Sequence, residues 1–299
     1  IAKAAVEPVA KVAAPVVNAA LPAMRPLAAL TTPLGKVIGV EGGAPRPVVA
    51  LRHDGADLPA TAEVVAHLFP EAADRLVVFV PGTGEGEAVW RAHAAQLGGS
   101  YADRLTTVLR WPAVQLRYDA GTPLGEAALA LSTLLQDIVD VWPTPVRRIV
   151  VVAHGDAGLL VRSALAVRGL AARPWADRVS ELVALGTPSL GTDTEAVSGG
   201  VGRRLDEALA GIAVVPSSAL DVPMLRHVDY LVVSDRLLSR ANPVGRALGD
   251  VLWLRHRASR KGRHVVDLFP TAERFALDTR EHPLVNHPEV HDALLRWLA

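Results

Sequence analysis

The chain has 299 residues, half of them apolar and 21% charged, with 31 basic and 31 acidic side chains and no cysteine. That composition supports a sizeable core and excludes a disordered or fibrous chain, a disulfide scaffold, thiolate catalysis and Cys-ligated metal. The formal charge of zero, with neither sign gathered in a long block, also argues against nucleic-acid binding, which needs a basic excess or stripe.

Residues 1–46 are rich in Ala, Val and Pro, with Pro8, Pro15 and Pro22 seven apart. Each proline interrupts the helical hydrogen-bond ladder, so the expectation is an arm of short helical pieces that covers the body, docks a partner or rests on a membrane surface. The most apolar stretch, 12–24, lies between Lys11 and Arg25 and contains Pro15, Asn18 and Pro22. It falls short of the roughly 20 apolar residues a bilayer crossing needs. No transmembrane segment is expected, and the location read from this is cytoplasmic, at most peripheral to a membrane. A start at Ile1 rather than Met is compatible with a removed leader.

From residue 47 onward, short β-branched runs alternate with amphipathic stretches. Strands are expected over 47–51, 76–80, 114–118, 149–153, 182–185 and 230–233, and helices over 87–97, 125–142, 158–168 and 201–210. Near-continuous Val/Ile runs are the mark of strands covered on both faces, as in parallel sheets. The reading is one α/β domain over 47–299, built on a mostly parallel doubly wound sheet.

Sites in such sheets lie at the carboxyl ends of strands. The loop Pro81-Gly82-Thr83-Gly84-Glu85-Gly86 follows the run LVVFV. It lacks both the GxGxxG spacing of a dinucleotide site and the Lys of a phosphate loop, so no cofactor is expected. In VVAHGDAGLLVR, residues 151–162, a buried strand breaks into small residues and starts a helix. That is how a nucleophile elbow is built, with small side chains two positions either side of the apex. With Gly155 as apex those neighbours are Ala153 and Ala157. With Asp156 as apex one of them would be His154, which is too bulky. No HExxH spacing or other metal-ligand pattern is present.

The segment 151–162 resembles the elbow of lipase- and esterase-type α/β-hydrolases of the triacylglycerol-lipase kind. Four more segments are similar to that family in the right order: the loop after LVVFV, LGTPSLG at 185–191, VGRALGD at 244–250 and LVNHPEV at 284–290. The resemblance implies the α/β-hydrolase fold, with oxyanion-hole positions at Gly82, Thr83 and Asp156, an acid at Asp250 and a base at His287. It also implies an acyl-ester or lipid ligand. Asp235 is the rival for the acid, and residues 192–216 are the candidate lid. As a loop-to-helix residue, His287 has capping as its alternative role.

The departures carry as much weight. Gly155 stands where the family has its nucleophilic serine, Pro81 replaces the oxyanion-segment histidine, and Asp156 and Ala157 replace Met and Gly. Asp156 as a carboxylate nucleophile, as in dehalogenases and epoxide hydrolases, is out of register by one. Without the serine, catalysis is expected to be very poor, since even triad knockouts keep only roughly 10³–10⁴-fold acceleration over water. The combined changes at Pro81, Asp156 and Ala157 favour a natural pseudohydrolase with a binding or structural role in a protein assembly. The retained Asp250 and His287 favour the alternative, a carboxylic-ester hydrolase whose serine has been changed to glycine.

Overall fold

A computed structural model describes residues 46–119, 121–167, 174–187, 190–192, 222–235, 265–279 and 283–298. The expected arm over 1–46, apart from Arg46, lies outside the described residues, as do the helix expected over 201–210, Asp250, and the candidate lid beyond Thr192.

The strands are β1 (Val49–His53), β2 (Ala56–Leu58), β3 (Arg75–Val80), β4 (Ala113–Tyr118), β5 (Arg148–His154), β6 (Val179–Leu185), β8 (Asp229–Asp235) and β10 (Glu273–Leu277). They form one sheet in the order β10-β8-β6-β5-β3-β4-β1-β2. Neighbours from β10 to β4 run parallel, and β1 is antiparallel both to β4 and to its hairpin partner β2 at the far edge. The strand expected over 47–51 is thus an antiparallel strand beginning at Val49. The Asp54-Gly55 turn makes this so: both residues have positive φ, 45° and 82°, which closes a two-residue hairpin. A separate two-stranded ribbon pairs β7 (Leu190–Thr192) with β9 (Val265–Asp267).

Successive residues of the central strands feed two cores, as strand pleating requires. On one face Leu76, Val78, Val80, Val151 and Ala153 pack with α3 (Leu124–Val141) and α4 (Ala157–Ala166). On the other, Val77, Phe79, Val150 and Val152 meet Trp90, α2 (Tyr101–Leu109) and α5 (Pro288–Leu298). A short helix α1 (Ala62–Leu68) is capped by Thr61. A mostly parallel sheet covered on both faces, with an elbow at the end of β5, is the α/β-hydrolase fold. Among the described residues no helix is long and apolar enough to cross a membrane.

One local expectation changes. Residues 87–97 form two 3-10 turns, Glu87–Arg91 and Ala94–Gln96, divided by His93 in the left-handed region at φ 58°. The amphipathic spacing there serves another end, because Glu87 is buried against Arg52 instead of lying on a solvated helix face. The helix on this stretch of chain comes later, as α2. It starts in a capping box: the Ser100 hydroxyl accepts from the Asp103 N–H, and the Asp103 carboxylate from the Ser100 N–H.

Candidate functional site

At the end of β5 the chain turns sharply. Gly155 has φ 56°, its N–H donates to the Leu185 carbonyl at 2.8 Å, and its carbonyl accepts from the Thr187 hydroxyl at 2.6 Å. Helix α4 then begins at Ala157. Ala153 and Ala157, the neighbours expected to be small, are fully buried. Among the described residues beyond its chain neighbours, a Cβ placed on Gly155 would meet only the Gly82 Cα, at 3.9 Å. The apex therefore has room for a side chain and faces the loop after β3. Gly158 is the residue that must lack one, since a Cβ there would fall 2.3 Å from Thr187 Oγ1.

The loop after β3 is held from within by carboxylates. The Gly82 N–H donates to Glu85 Oε2 at 2.8 Å, and the same oxygen lies 2.7 Å from His154 Nδ1. The Thr83 N–H donates to Asp156 Oδ1 at 2.9 Å, and the Thr83 hydroxyl donates to the other carboxylate oxygen. With its proton so used, Thr83 Oγ1 accepts from the Tyr118 hydroxyl at 2.7 Å. Partial burial works to raise the Asp156 pKa, but the Thr83 hydroxyl and N–H outweigh it and hold the carboxyl below its ordinary value. Burial, with the nearby Asp156 and Glu85 charges, pushes the Tyr118 hydroxyl well above the phenol range.

The N–H groups of Gly82 and Thr83, the expected oxyanion donors, thus both have carboxylate partners. Glu85 and Tyr118 were not expected from the sequence. Glu85 carried a readable signal, an acid three residues after a Gly N–H in a tight turn. Tyr118 carried none, because only the placement of β4 beside β3 brings it to the site.

The His287 loop crosses the neighbouring strand ends. Gly186, just after β6, donates to Val233 at 2.8 Å, and a Cβ on Gly186 would lie 3.4 Å from Leu284 Cδ1. The loop is clamped by Asn286, which is buried and left-handed at φ 65°. Its side chain donates to the Trp90 and Ala92 carbonyls and accepts from the Tyr101 N–H. Trp90 in turn sets its ring edge-on to His154, centroids 6.2 Å apart. His287 is buried, and its Nδ1 accepts from the Glu289 N–H at 3.2 Å. That contact caps α5, the alternative role.

Of the two acid candidates, Asp250 is outside the described residues. Asp235 ends β8 at the carboxyl edge, two strands from the elbow, and accepts from the Thr279 hydroxyl. Ser163, the serine nearest the elbow along α4, is fully buried with an unpartnered hydroxyl. Among the described residues no cluster of His, Asp and Glu could hold a metal ion.

No family model and no curated protein matches the chain. Among solved structures it is similar to a Pyrococcus furiosus esterase at 14% identity, over 76% of this chain and 83% of that one, with a TM-score of 0.36. It is likewise similar to a thermophilic esterase from Thermogutta terrifontis at 13% identity, over 84% and 87% of the two chains, with a TM-score of 0.39. A third is an α/β-hydrolase fold protein of unknown function, at 13% identity over 75% and 87%, with a TM-score of 0.40. Likenesses this distant carry no argument about chemistry. The fold assignment stands on the strand order and the elbow.

Proposed function

We propose that this chain is a pseudohydrolase: an α/β-hydrolase-fold protein that binds or scaffolds and does no covalent acyl chemistry. The observation that carries the reading is the elbow apex. Gly155 keeps the left-handed turn of a nucleophile position and has no atom with which to attack. The engaged N–H groups of Gly82 and Thr83 support it. The ligand implied by the family resemblance is an acyl ester or lipid, and residues 1–46 are the segment assigned to a protein partner.

The unmodified chain is expected to give no burst with p-nitrophenyl esters and no covalent labelling by a fluorophosphonate probe. A stoichiometric burst or a labelled serine would overturn the reading. Ser163 offers no escape route, being enclosed. Deleting residues 1–46 is expected to change the oligomeric state measured by light scattering, or to release a bound partner. An unchanged mass with unchanged partners removes the arm from the proposal.

One observation favours the second reading, an esterase in which serine has become glycine: the apex has space for a side chain, with only the Gly82 Cα within 4 Å among the described residues beyond its chain neighbours. The residue encoded at position 155 in the natural gene decides between the two.

A further inference from the structure

We propose that the Asp156 carboxylate occupies this chain's oxyanion site from within, so that the region between the β3 loop and the elbow turns away acyl carbonyls and carboxylates. The proposal rests on the pseudohydrolase reading and deepens it, since it states what the site rejects.

In an elbow fold, the developing oxyanion is met by the N–H of the residue after the nucleophile and by an N–H from the loop after β3. Here those groups belong to Asp156 and Thr83. The Asp156 carboxylate takes the Thr83 N–H at 2.9 Å and the Thr83 hydroxyl besides. The donor that the loop would offer an oxyanion is thereby directed at a resident anion. The loop is also in the right place, for the Gly82 Cα lies 3.9 Å from where a Cβ on the apex would sit.

A plainer account would make Asp156 a helix cap, since Asp before a first helical turn ordinarily accepts from an N–H two or three residues on. That account fails. Asp156 makes no capping bond to α4 and reaches a loop 73 residues away in sequence. The arrangement is also buttressed, because the Tyr118 hydroxyl fixes Thr83 Oγ1 as donor to Asp156. The second candidate donor, the Gly82 N–H, is taken by Glu85, whose charge adds to that of Asp156. A ligand presenting an oxyanion or carboxylate meets two like charges and no free donor from Gly82 or Thr83.

The test uses the full chain with three sequences: unmodified, Gly155→Ser, and Gly155→Ser with Asp156→Ala. The readout is the rate of fluorophosphonate labelling at position 155. The single variant is expected to stay at background. The double variant is expected to label about 100-fold faster or more, the scale on which one oxyanion donor acts. A single variant that labels as fast as the double overturns the proposal and leaves the pseudohydrolase reading intact, and so does a folded double variant with no gain. Labelling of the unmodified chain overturns the reading itself. Where the double variant fails to fold, NMR of the unmodified chain decides. The Thr83 amide resonance is expected to move with the same midpoint as the Asp156 carboxyl carbon, and an amide that ignores that titration overturns the proposal.

Discussion

Replacing Gly158 by Ala tests the elbow's packing most directly. The new Cβ would lie 2.3 Å from Thr187 Oγ1, 2.7 Å from its Cγ2 and 3.0 Å from its Cβ. Ordinary contact begins near 3.4 Å, so α4 or Thr187 must retreat by about 1 Å. Thr187 is buried and its hydroxyl is committed to the Gly155 carbonyl. Overpacking of this kind costs about 1–3 kcal/mol, and breaking the Thr187 hydrogen bond adds about 1 kcal/mol. Against this, Ala gains up to about 1 kcal/mol over Gly in a helix, less in the first turn. The net expectation is about 2 kcal/mol of destabilisation, or a fall in Tm of about 4–8 °C for a domain of this size.

Chemical denaturation of Gly158→Ala, Thr187→Ala and the double variant measures it as a cycle. In the Thr187→Ala background most of the clash is gone, and adding Gly158→Ala is expected to cost under about 1 kcal/mol. An equal cost in both backgrounds would refute the reasoning, because the strain would then not lie between these two residues.

Two further outcomes follow from buried polar groups. Asn286→Ala removes two side-chain donors and one acceptor from the clamp on the Trp90–Tyr101 segment and leaves Ala at φ 65°. A loss of about 3 kcal/mol in urea unfolding is expected, and a loss below about 1 kcal/mol would show that the loop is held elsewhere. Glu87→Gln breaks a buried pair with Arg52. Burial opposes ionisation of Glu87, but the Arg52 guanidinium and backbone N–H groups, including that of Gly55, hold its pKa below the ordinary 4.5. A depressed carboxyl contributes stability above the unfolded value and loses it as pH falls through the folded value. The variant should therefore be less stable than the unmodified chain above about pH 4.5, with the gap closing on acidification, and a gap independent of pH contradicts this.

What was legible in the sequence was what neighbours along the chain dictate. The runs LVVFV and IVVVA could only be doubly covered strands, and small residues around Gly155 marked the turn before any contact was known. The capping box of Ser100 and Asp103 was equally readable, and α2 was missed only because the spacing over 87–97 drew the helix to the wrong side of Gly98 and Gly99. The site's chemistry was not readable in that way. Whether Asp156 caps a helix or seizes Thr83 depends on the approach of two loops 73 residues apart. Nor does the sequence say which way the His287 ring turns, since LVNHPEV serves a proton carrier and a helix cap equally well. Here Nδ1 turns to Glu289.

Two glycines three residues apart in the elbow are glycine for different reasons. Gly158 is glycine because a Cβ there would overlap Thr187, whereas among the described residues a Cβ on Gly155 would touch only the Gly82 Cα, and its backbone, at φ 56°, is the constraint. A non-glycine residue in that left-handed conformation costs roughly 1 kcal/mol, with no clash to add. Gly155→Ala is accordingly expected to lower Tm by only about 2–4 °C, half the effect of Gly158→Ala or less. Calorimetry of the two single variants side by side makes the comparison. A Gly155→Ala variant as damaged as Gly158→Ala would mean that the β3 loop closes over the apex and admits no side chain. The esterase alternative would fall with it, because a serine could never have stood there. A mild loss keeps the elbow as a turn whose shape outlasts its nucleophile, leaving the donors around Asp156 to decide what the site accepts.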